Sequence, residues 1–482
     1  MGSPFVSRLL APASLGNRSQ RTGFVEPAIT RHPTPVMKYR LLVARALANA
    51  FVIGPWQPAA LRQLAADVIG GAEASWITPV VRTVLRRFPE PPTAGEEGIA
   101  QLAAVVASLP SFRDAFWGRE VPRIRRWLAL PPAMDATPWP VAPAATLVEL
   151  ARILDVEPSE LQWLADARRY LRRNTHSRLE HYHRTWLPKR RGGFRLIEVP
   201  KARIKAVQRR VLRCILDAIP THPCAEGFVR GRSALSHALH HSGHAAVLCL
   251  DLEDFFTSIP HGRVFHVFRA AGYPAPVARV LAGVCTTALP PAEFARCPRP
   301  DSAAELARYQ RLRQSALTQH LPQGAPTSPS LANLCAFGLD RRLAGAAAAV
   351  GAKYSRYADD LAFSGDATFA RRIRDFSTLA SAIALDEGFE VNFRKTRIMP
   401  RATRQLVCGL VVNARPNLPR RDYDRLKAVL TTCLRHGAET QNHEEHADFR
   451  GHLQGRVAWV EAVAPARGAK LRALFDAIRW PV

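Results

Sequence analysis

The feature of this chain that most constrains its fold is an apolar run that stops at a carboxylate. Residues 245–250 are all apolar, and Asp251 follows directly. A short run of this kind predicts a strand that is buried on both faces of a sheet. A carboxylate at the end of such a strand costs free energy unless it is paired or binds a metal ion. We therefore expect Asp251 to belong to a functional site.

A second acidic segment lies farther along the chain. In residues 353–364, two strand-like halves flank Asp359 and Asp360. This pattern predicts a β-hairpin with the two aspartates at its tip. Because neighbouring side chains on a strand point to opposite faces, only one of the pair is expected to point squarely at Asp251. We assign that role to Asp359 and a more peripheral one to Asp360.

Three carboxylates brought together repel one another, which raises their pKa values and destabilises the fold. Divalent cations remove this penalty, and oxygen ligands favour hard cations. We therefore expect two Mg²⁺ ions at Asp251, Asp359 and Asp360, with Mn²⁺ as a substitute.

Charge and length limit the functions open to the chain. It has 482 residues, 47% of them hydrophobic, and a formal net charge of +27. The length predicts two to four structural units with a large core. An excess of positive charge this large indicates a polyanionic partner, and nucleic acid is the expected one.

No apolar run approaches the roughly 20 residues of a membrane span, so no membrane partner is expected. The eight cysteines lack the close pairs of zinc ribbons and suit a reducing cytoplasm.

The N-terminal part is predicted to be separate in character. Residues 1–37 form a basic tail that we expect to be disordered. One alternative is an organellar transit peptide, and another is an upstream extension of a protein that begins at Met37. Residues 38–133 have helical periodicity, clearest at 38–52 and 58–69, and no catalytic pattern. Residues 134–170 combine a linker with a helix pair in 145–164, broken at 156–159, with Ser159 as N-cap. The pair is interpreted as a packing element, with a DNA-binding helix-turn-helix as the alternative.

Residues 186–213 form the most basic stretch. They contain ten Lys and Arg residues against one acid, Glu198. Gly192 and Gly193 predict a tight turn between strands at 184–188 and 194–199, and helical periodicity resumes at Gln208. A basic hairpin followed by a basic helix is suited to binding phosphate groups.

Taken together, these motifs resemble those of bacterial reverse transcriptases. Residues 357–360 read Tyr-Ala-Asp-Asp, and residues 321–329, Leu-Pro-Gln-Gly-Ala-Pro-Thr-Ser-Pro, lie between them and the Asp251 strand. Further matches are residues 227–233, Glu387-Gly388-Phe389 with Lys395, and residues 407–413. The resemblance covers about residues 145 to 480. It implies an α+β right-hand polymerase with an N-terminal helical extension, having fingers and palm at 171–415 and a helical thumb at 416–482.

The resemblance implies RNA-directed DNA polymerase activity and a role for each matching residue. It adds Leu252 to the metal-binding set. Phe256 would exclude a ribose 2′-hydroxyl, so that deoxynucleoside triphosphates are used. The other nucleotide-binding residues would be Lys189, Arg195, Gln323 and Lys395, with Lys395 as a general acid and Arg190 and Arg191 as rivals of Lys189. Residues at the RNA template and primer would be Arg203, Arg209, Arg230, Arg232, His237, His241, Gly409 and Asn413.

Two segments are similar to the signatures of retron reverse transcriptases. Residues 237–241 read His-Ala-Leu-His-His where retron enzymes have Asn-Ala-x-x-His, and residues 407–409 read Val-Cys-Gly where they have Val-Thr-Gly. Each differs at one position. A zinc site is the alternative for the histidines, which are His237, His240, His241 and His244.

A retron enzyme would copy a structured noncoding RNA, from an internal 2′-hydroxyl, into branched single-stranded DNA. It would commonly serve antiphage defence beside an effector protein. The alternatives are a defence-associated reverse transcriptase outside the retrons, a group II intron maturase and a non-catalytic RNA-binding scaffold. The short segment after Asn413 disfavours the maturase, and the three intact aspartates disfavour the scaffold.

Overall fold

The computed structural model describes residues 35–70, 74–92, 96–117, 121–128, 133–166, 179–189, 192–300 and 302–480. The expected tail up to residue 34 lies outside these ranges, as do Arg190, Arg191 and the first residues of the expected fingers, 171–178. The chain divides into two compact units, which meet in sequence between Pro132 and Ala133.

The N-terminal unit is helical in the part that the structure describes. Its helices are α1 Pro35–Ile53, α2 Pro58–Ile69, α3 Ile77–Arg87, α4 Glu96–Ser108 and α5 Pro110–Asp114. Both helices predicted from periodicity are present. Helix α2 begins with Pro58, whose fixed φ suits a first helical position, and ends at Gly70, whose φ of 74° suits glycine. Leu47, Phe51 and Leu102 are buried in a core that belongs to this unit alone.

The C-terminal unit mixes helices and strands. Its helices are α6 Leu147–Leu154, α7 Pro158–Leu164, α8 Ala202–Cys214, α9 Ala234–His240, α10 His261–Ala270, α11 Ala275–Cys285, α12 Pro291–Phe294, α13 Ala303–Leu317, α14 Ser328–Cys335, α15 Phe337–Ala349, α16 Ala367–Asp386, α17 Arg420–His436, α18 Phe449–Val463 and α19 Pro465–Asp476. Its strands are β1 Tyr182–Pro188, β2 Phe194–Pro200, β3 Ala246–Asp251, β4 Lys353–Tyr357, β5 Asp360–Gly365, β6 Arg397–Pro400, β7 Leu406–Val407 and β8 Leu410–Val411. The class predicted from the sequence, α+β, agrees with this mixture. No helix of the described ranges is long and apolar enough to cross a membrane.

Helices α6 and α7 form the predicted pair, but one detail of the prediction is wrong. Thr146 caps α6 in a capping box with Glu149. Helix α7 begins at Pro158, with Glu157 as its N-cap, so Ser159 lies inside the helix. Proline is favoured at the first helical position because its missing N–H would have no partner there. This preference places the first residue of α7 at Pro158, one residue before the expected cap Ser159.

The central sheet has four antiparallel strands in the order β4-β5-β3-β6. All six residues of β3 are buried, as the apolar run predicted. Leu248 and Leu250 belong to the main core, which includes residues of α10, α11, α15 and α16. Val247 and Cys249, which alternate with them, pack in a second cluster with residues of β7 and β8. Burial on both faces therefore explains why the strand is continuously apolar.

Strands β1 and β2 pair as the predicted basic hairpin. Its turn contains Gly192 and Gly193, with φ of 86° and 76°, which non-glycine residues rarely adopt. The following helix, α8, begins at Ala202, before the expected Gln208. Leu196 of β2 packs in a small cluster with Phe294 and Leu312, residues of α12 and α13. Helices α17, α18 and α19 share a separate core at the C-terminal end.

Candidate active site

Three carboxylates meet at one end of the central sheet. Asp251 ends β3 and is opposite Asp360, the first residue of β5. Asp359 lies in the turn before β5, where its carbonyl accepts a hydrogen bond of 2.9 Å from the Leu252 amide. Ala358, also in the turn, has a φ of 56°. The predicted hairpin with aspartates at its tip is therefore present and adjoins the end of β3.

The strand register differs from the expected arrangement of the two hairpin aspartates. Residues directly opposite each other in an antiparallel pair carry their side chains on the same face. The register therefore gives Asp360 the same face as Asp251. Asp359 precedes the strand, where the alternation of faces no longer applies. The choice of Asp359 as the main partner of Asp251 stays a prediction.

The electrostatics of the three carboxylates show that they interact. Burial, and then the negative charge of Asp251, raises the pKa of Asp359. Burial, and then the charges of Asp359 and Asp251, raises the pKa of Asp360 to about 6. The positive charge of Lys395 opposes both shifts, and that of Arg195 opposes the shift at Asp359. Lys395 and Arg195 were both predicted at the nucleotide site.

Lys395 binds Asp251 directly. Its Nζ lies 2.8 Å from Oδ1 and 2.7 Å from Oδ2 of that carboxylate. Main-chain hydrogen bonds fix the segment that carries it, since the Asn392 amide donates to the Asp251 carbonyl at 2.7 Å and the Glu253 amide to the Glu390 carbonyl at 2.7 Å. The lysine is thus held at the carboxylates by the backbone of both segments.

The donor set of this site suits a hard divalent cation, because carboxylate oxygens are its preferred ligands. In the part of the chain that the structure describes, no three His, Cys, Asp or Glu side chains are grouped closely enough to hold an ion together. Lys395 occupies both oxygens of Asp251. A cation that binds Asp251 therefore competes with this ammonium group.

The basic hairpin β1–β2 reaches the same region. Lys189, at the end of the hairpin, donates a hydrogen bond of 2.8 Å to Oδ1 of Asp254, which follows β3. Asp254 has a φ of 47°, a left-handed conformation. Since the charge of Arg195 also acts on Asp359, both predicted phosphate-binding residues lie near the carboxylates.

Aromatic residues lie close in sequence to the aspartates, since Phe255 and Phe256 follow Asp251 and Tyr357 precedes Asp359. Phe255 is buried in the core, as expected, and Phe256 is partly buried. Phe228 was missed by the sequence reasoning, although its segment was recognised. Its ring is 51% exposed, with its centroid 6.2 Å from that of Phe256 and 6.4 Å from that of Tyr357. Its φ of 62° is unusual for a bulky residue, and such backbone strain clusters at functional sites.

The Gln323-Gly324 turn packs against strand β2. The Gln323 carbonyl accepts a hydrogen bond of 2.9 Å from the Glu198 amide. Gly324 has a φ of 133°, and a Cβ there would lie 2.8 Å from the Glu198 carbonyl oxygen. Only glycine fits this conformation and this close approach. The turn therefore connects the basic hairpin to the rest of the C-terminal unit.

The residues predicted at template and primer fall into two groups. Arg209 and Arg230 are exposed. Arg203 is exposed as well, and it binds Glu160 at 2.5 and 2.6 Å. The half-buried Arg232 donates to the Pro223 carbonyl and, at 2.7 Å, to the Ala225 carbonyl. A role for these residues in binding nucleic acid stays a prediction.

The β7–β8 hairpin lies beside Asp360. Cys408 and Gly409 form its tip with φ of 43° and 81°, and the Cys408 Sγ lies 3.9 Å from Oδ2 of Asp360. Burial, and then the charge of Asp360, raises the pKa of this thiol. The Asn413 amide accepts from the Gln405 amide and donates to the Arg401 and Thr403 carbonyls, which fixes the loop before β7.

Two of the residues predicted at the template are buried. His237 and His241 have no exposed surface in this structure, and their role at the RNA stays a prediction. Their rings bind Ser355 and Ser364 of the β4–β5 hairpin. The zinc alternative covers His237, His240, His241 and His244. The Nε2 atom of His240 lies 3.0 Å from Oε1 of Glu226, so this histidine has a carboxylate partner. Among the described residues, no three possible ligands are grouped closely enough to hold a metal ion.

A buried ion pair stabilises the β4–β5 hairpin, and no local sequence pattern predicted it. Arg356 and Asp340 are both fully buried, and the guanidinium donates to the two oxygens of Asp340 at 2.8 and 2.6 Å. Arg356 also donates to the Ala358 carbonyl at 3.0 Å, in the turn that carries Asp359. Tyr354 donates to the same carboxylate at 2.7 Å.

Comparison with known proteins agrees with this geometry. Residues 187–410 match the family model described as reverse transcriptase (RNA-dependent DNA polymerase). These residues include β3, β4, β5 and all three aspartates. Residues 187–410 therefore form a reverse transcriptase domain.

The chain is similar to retron reverse transcriptases of bacteria. It is 39% identical over 312 residues to the retron Mx65 reverse transcriptase of Myxococcus xanthus, an alignment that covers 63% of this chain and 66% of the relative. Identity to the retron Mx162 reverse transcriptase of the same organism is 34% over 333 residues, which is 66% of this chain and 64% of the relative. Identity to the retron Ec86 reverse transcriptase of Escherichia coli is 35% over 239 residues, 49% of this chain and 64% of the relative. Each alignment thus spans just under two thirds of the relative's length.

Proposed function

We propose that this protein is an RNA-directed DNA polymerase that copies a structured noncoding RNA into single-stranded DNA. The observation that carries the proposal is the position of Asp251, Asp359 and Asp360 at one end of the sheet, with Lys395 and Arg195 beside them. Two-metal nucleotidyl transfer requires carboxylates in this place and cationic groups around the triphosphate.

The residues of the site divide the work of the reaction. Two divalent ions, Mg²⁺ by preference, would supply activation of the primer hydroxyl and neutralisation of charge at the α-phosphate. Lys189 and Arg195 bind the triphosphate by charge-assisted hydrogen bonds. Lys395, at the carboxylates, is placed to give a proton to the departing pyrophosphate. Phe256 excludes the ribose 2′-hydroxyl by occupying the space that it needs.

We assign the parts of a right-hand polymerase as follows. Fingers and palm comprise residues 171–415, and helices α17 to α19 are the thumb, within residues 416–482. The hairpin β1–β2 with its Lys and Arg side chains supports the fingers assignment, and the sheet that carries the aspartates supports the palm.

The retron relatives support the identity of the template. The partner would be a noncoding RNA, primed from an internal 2′-hydroxyl, so that the DNA product stays branched from the RNA. The net charge of +27 suits such a partner, which is bound largely through phosphates and shape. The eight unpaired cysteines suit a bacterial cytoplasm. Antiphage defence with an effector protein completes the proposal.

The polymerase activity is tested with purified protein, a primed RNA and labelled deoxynucleoside triphosphates. We expect Mg²⁺-dependent incorporation that Asp359→Asn abolishes. Asp375→Asn, on the exposed side of α16, is the matched control and should remain active. Equal activity of Asp359→Asn and the wild type would refute the assignment.

The retron assignment is tested separately on nucleic acid that copurifies with the protein. After RNase treatment and debranching, we expect a discrete short DNA. If incorporation on the primed RNA is present but no such DNA is found, the polymerase proposal stands and the retron proposal fails.

A further inference from the structure

Two buried histidines, His237 within α9 and His241 directly after it, face the hairpin that carries Asp359 and Asp360. His237 and His241 have no solvent-exposed surface, and their ring centroids lie 5.4 Å apart. Both rings lie toward β4, since each contacts the Ser355 hydroxyl of that strand. Burying two imidazoles is costly unless their nitrogens find hydrogen-bond partners.

A chain of hydrogen bonds supplies these partners. His237 Nδ1 lies 2.8 Å from the Ser355 hydroxyl, the same hydroxyl lies 2.8 Å from His241 Nε2, and His241 Nδ1 lies 2.8 Å from the Ser364 hydroxyl. Burial lowers the pKa of His237 to about 3 and that of His241 well below its ordinary value. The rings are therefore neutral, and each offers one donor and one acceptor, as a chain of this kind requires.

This chain of hydrogen bonds contacts both strands of the β4–β5 hairpin. Ser355 belongs to β4, and Ser364 belongs to β5. The His237 ring also packs against Tyr357, with centroids 5.9 Å apart, at the end of β4. Helix α9 thus contacts the hairpin on both strands and next to the turn. Three directional bonds fix its orientation more sharply than apolar packing alone.

We propose that His237 and His241 are positioning residues that set the β4–β5 hairpin, and with it the carboxylates of Asp359 and Asp360, relative to Asp251. They act through Ser355 and Ser364 and touch no substrate. The inference rests on the proposed polymerase activity, because it names residues that position the same site. It assigns the histidines of residues 237–241 a role inside the protein.

The partner pattern of His237 identifies a conservative replacement. Its Nε2 has no hydrogen-bond partner among the described residues, so only Nδ1 contributes to the chain. An asparagine amide places either its oxygen or its nitrogen at about the position of Nδ1, and it has no atom at the position of Nε2. His237→Asn should therefore preserve the bond to Ser355, whereas His237→Leu removes it.

The first experiment measures single-turnover deoxynucleotide incorporation by Ser355→Ala on a primed RNA. A hairpin displaced by about 1 Å should slow the chemical step roughly 100-fold, with little change in the apparent affinity for the nucleotide. Ile373→Ala, in the buried face of α16, is a control for general destabilisation and should keep the wild-type rate. His237→Leu should be slow, and His237→Asn should recover most of the rate. Wild-type rates for Ser355→Ala and His237→Leu would overturn the inference.

The second measurement needs no polymerase activity. Hydrogen–deuterium exchange of residues 353–365 reports directly on how firmly the hairpin is held. Exchange there should be faster in Ser355→Ala than in wild type or Ile373→Ala. Unchanged exchange would overturn the inference, even if the wild type failed to incorporate nucleotides and the proposed function were wrong.

Discussion

Replacing Arg356 by methionine tests how the buried ion pair stabilises the β4–β5 hairpin. The guanidinium and the Asp340 carboxylate are both 0% exposed and share two hydrogen bonds. Arg356→Met keeps an apolar chain of similar length but leaves the Asp340 charge without its cation. Tyr354 would be the remaining donor to that carboxylate among the contacts described.

The size of the effect follows from the cost of an uncompensated buried charge. Removing one partner of a buried ion pair typically lowers the free energy of unfolding by about 3–5 kcal/mol. Arg356 also donates to the Asn333 side chain and the Ala358 carbonyl, each at 3.0 Å. These two acceptors lose a donor, which adds roughly 1 kcal/mol each. The single variant should therefore lose about 5–7 kcal/mol in total.

The assay is equilibrium unfolding in urea at neutral pH, with a double variant as the decisive comparison. Asp340→Asn in the Arg356→Met background removes the stranded charge while still accepting a hydrogen bond from Tyr354. We expect the double variant to recover about 2–3 kcal/mol of the loss. If it is as unstable as Arg356→Met, the unpaired charge is not the cause and the reasoning is refuted.

Three further predictions concern the site itself. Phe256→Ala should lower the preference for deoxynucleotides over ribonucleotides roughly 10- to 100-fold in kcat/KM, while unchanged sugar discrimination would exclude the gate role. Asp360→Asn, in EDTA, should raise the free energy of unfolding by about 3 kcal/mol above pH 6, because a pKa of about 6 in the folded state marks a penalty on the charged form. This gain should shrink as the pH falls toward 4, where the carboxyl is protonated in the folded state, and a gain independent of pH in urea titrations would contradict it. Gly324→Ala should lower the melting temperature and raise the KM for nucleotides, because its Cβ would lie 2.8 Å from the Glu198 carbonyl oxygen. A variant with wild-type values for both would show that the turn tolerates a side chain.

The features that could be predicted from the sequence are those set by neighbouring residues. The apolar run before Asp251 and the halves around Asp359 and Asp360 have the periods of strands, and Gly192-Gly193 requires a turn. Each of these signals lies within a dozen residues or so, where local preferences decide the structure. The strand β3, the β4–β5 hairpin and the basic hairpin were therefore predicted.

The features that could not be predicted depend on residues far apart in the chain. Nothing near Arg356 indicates that it binds Asp340, and nothing near His237 indicates that Ser355 is its partner. The register of β5 on β3, which places Asp360 opposite Asp251, is likewise set by tertiary packing. Phe228 looks like any aromatic residue in its segment until the fold places it beside Phe256 and Tyr357.

The main-chain hydrogen bonds around Asp251 have a practical consequence. The Leu252 amide binds the Asp359 carbonyl and the Asn392 amide binds the Asp251 carbonyl, so the backbone frame of the site does not depend on the carboxylate side chains. The Asp359→Asn variant can therefore lose catalytic activity and still keep the backbone structure of the site. Such a protein would hold its RNA at the moment before copying and would be a suitable bait for isolating that RNA from cells.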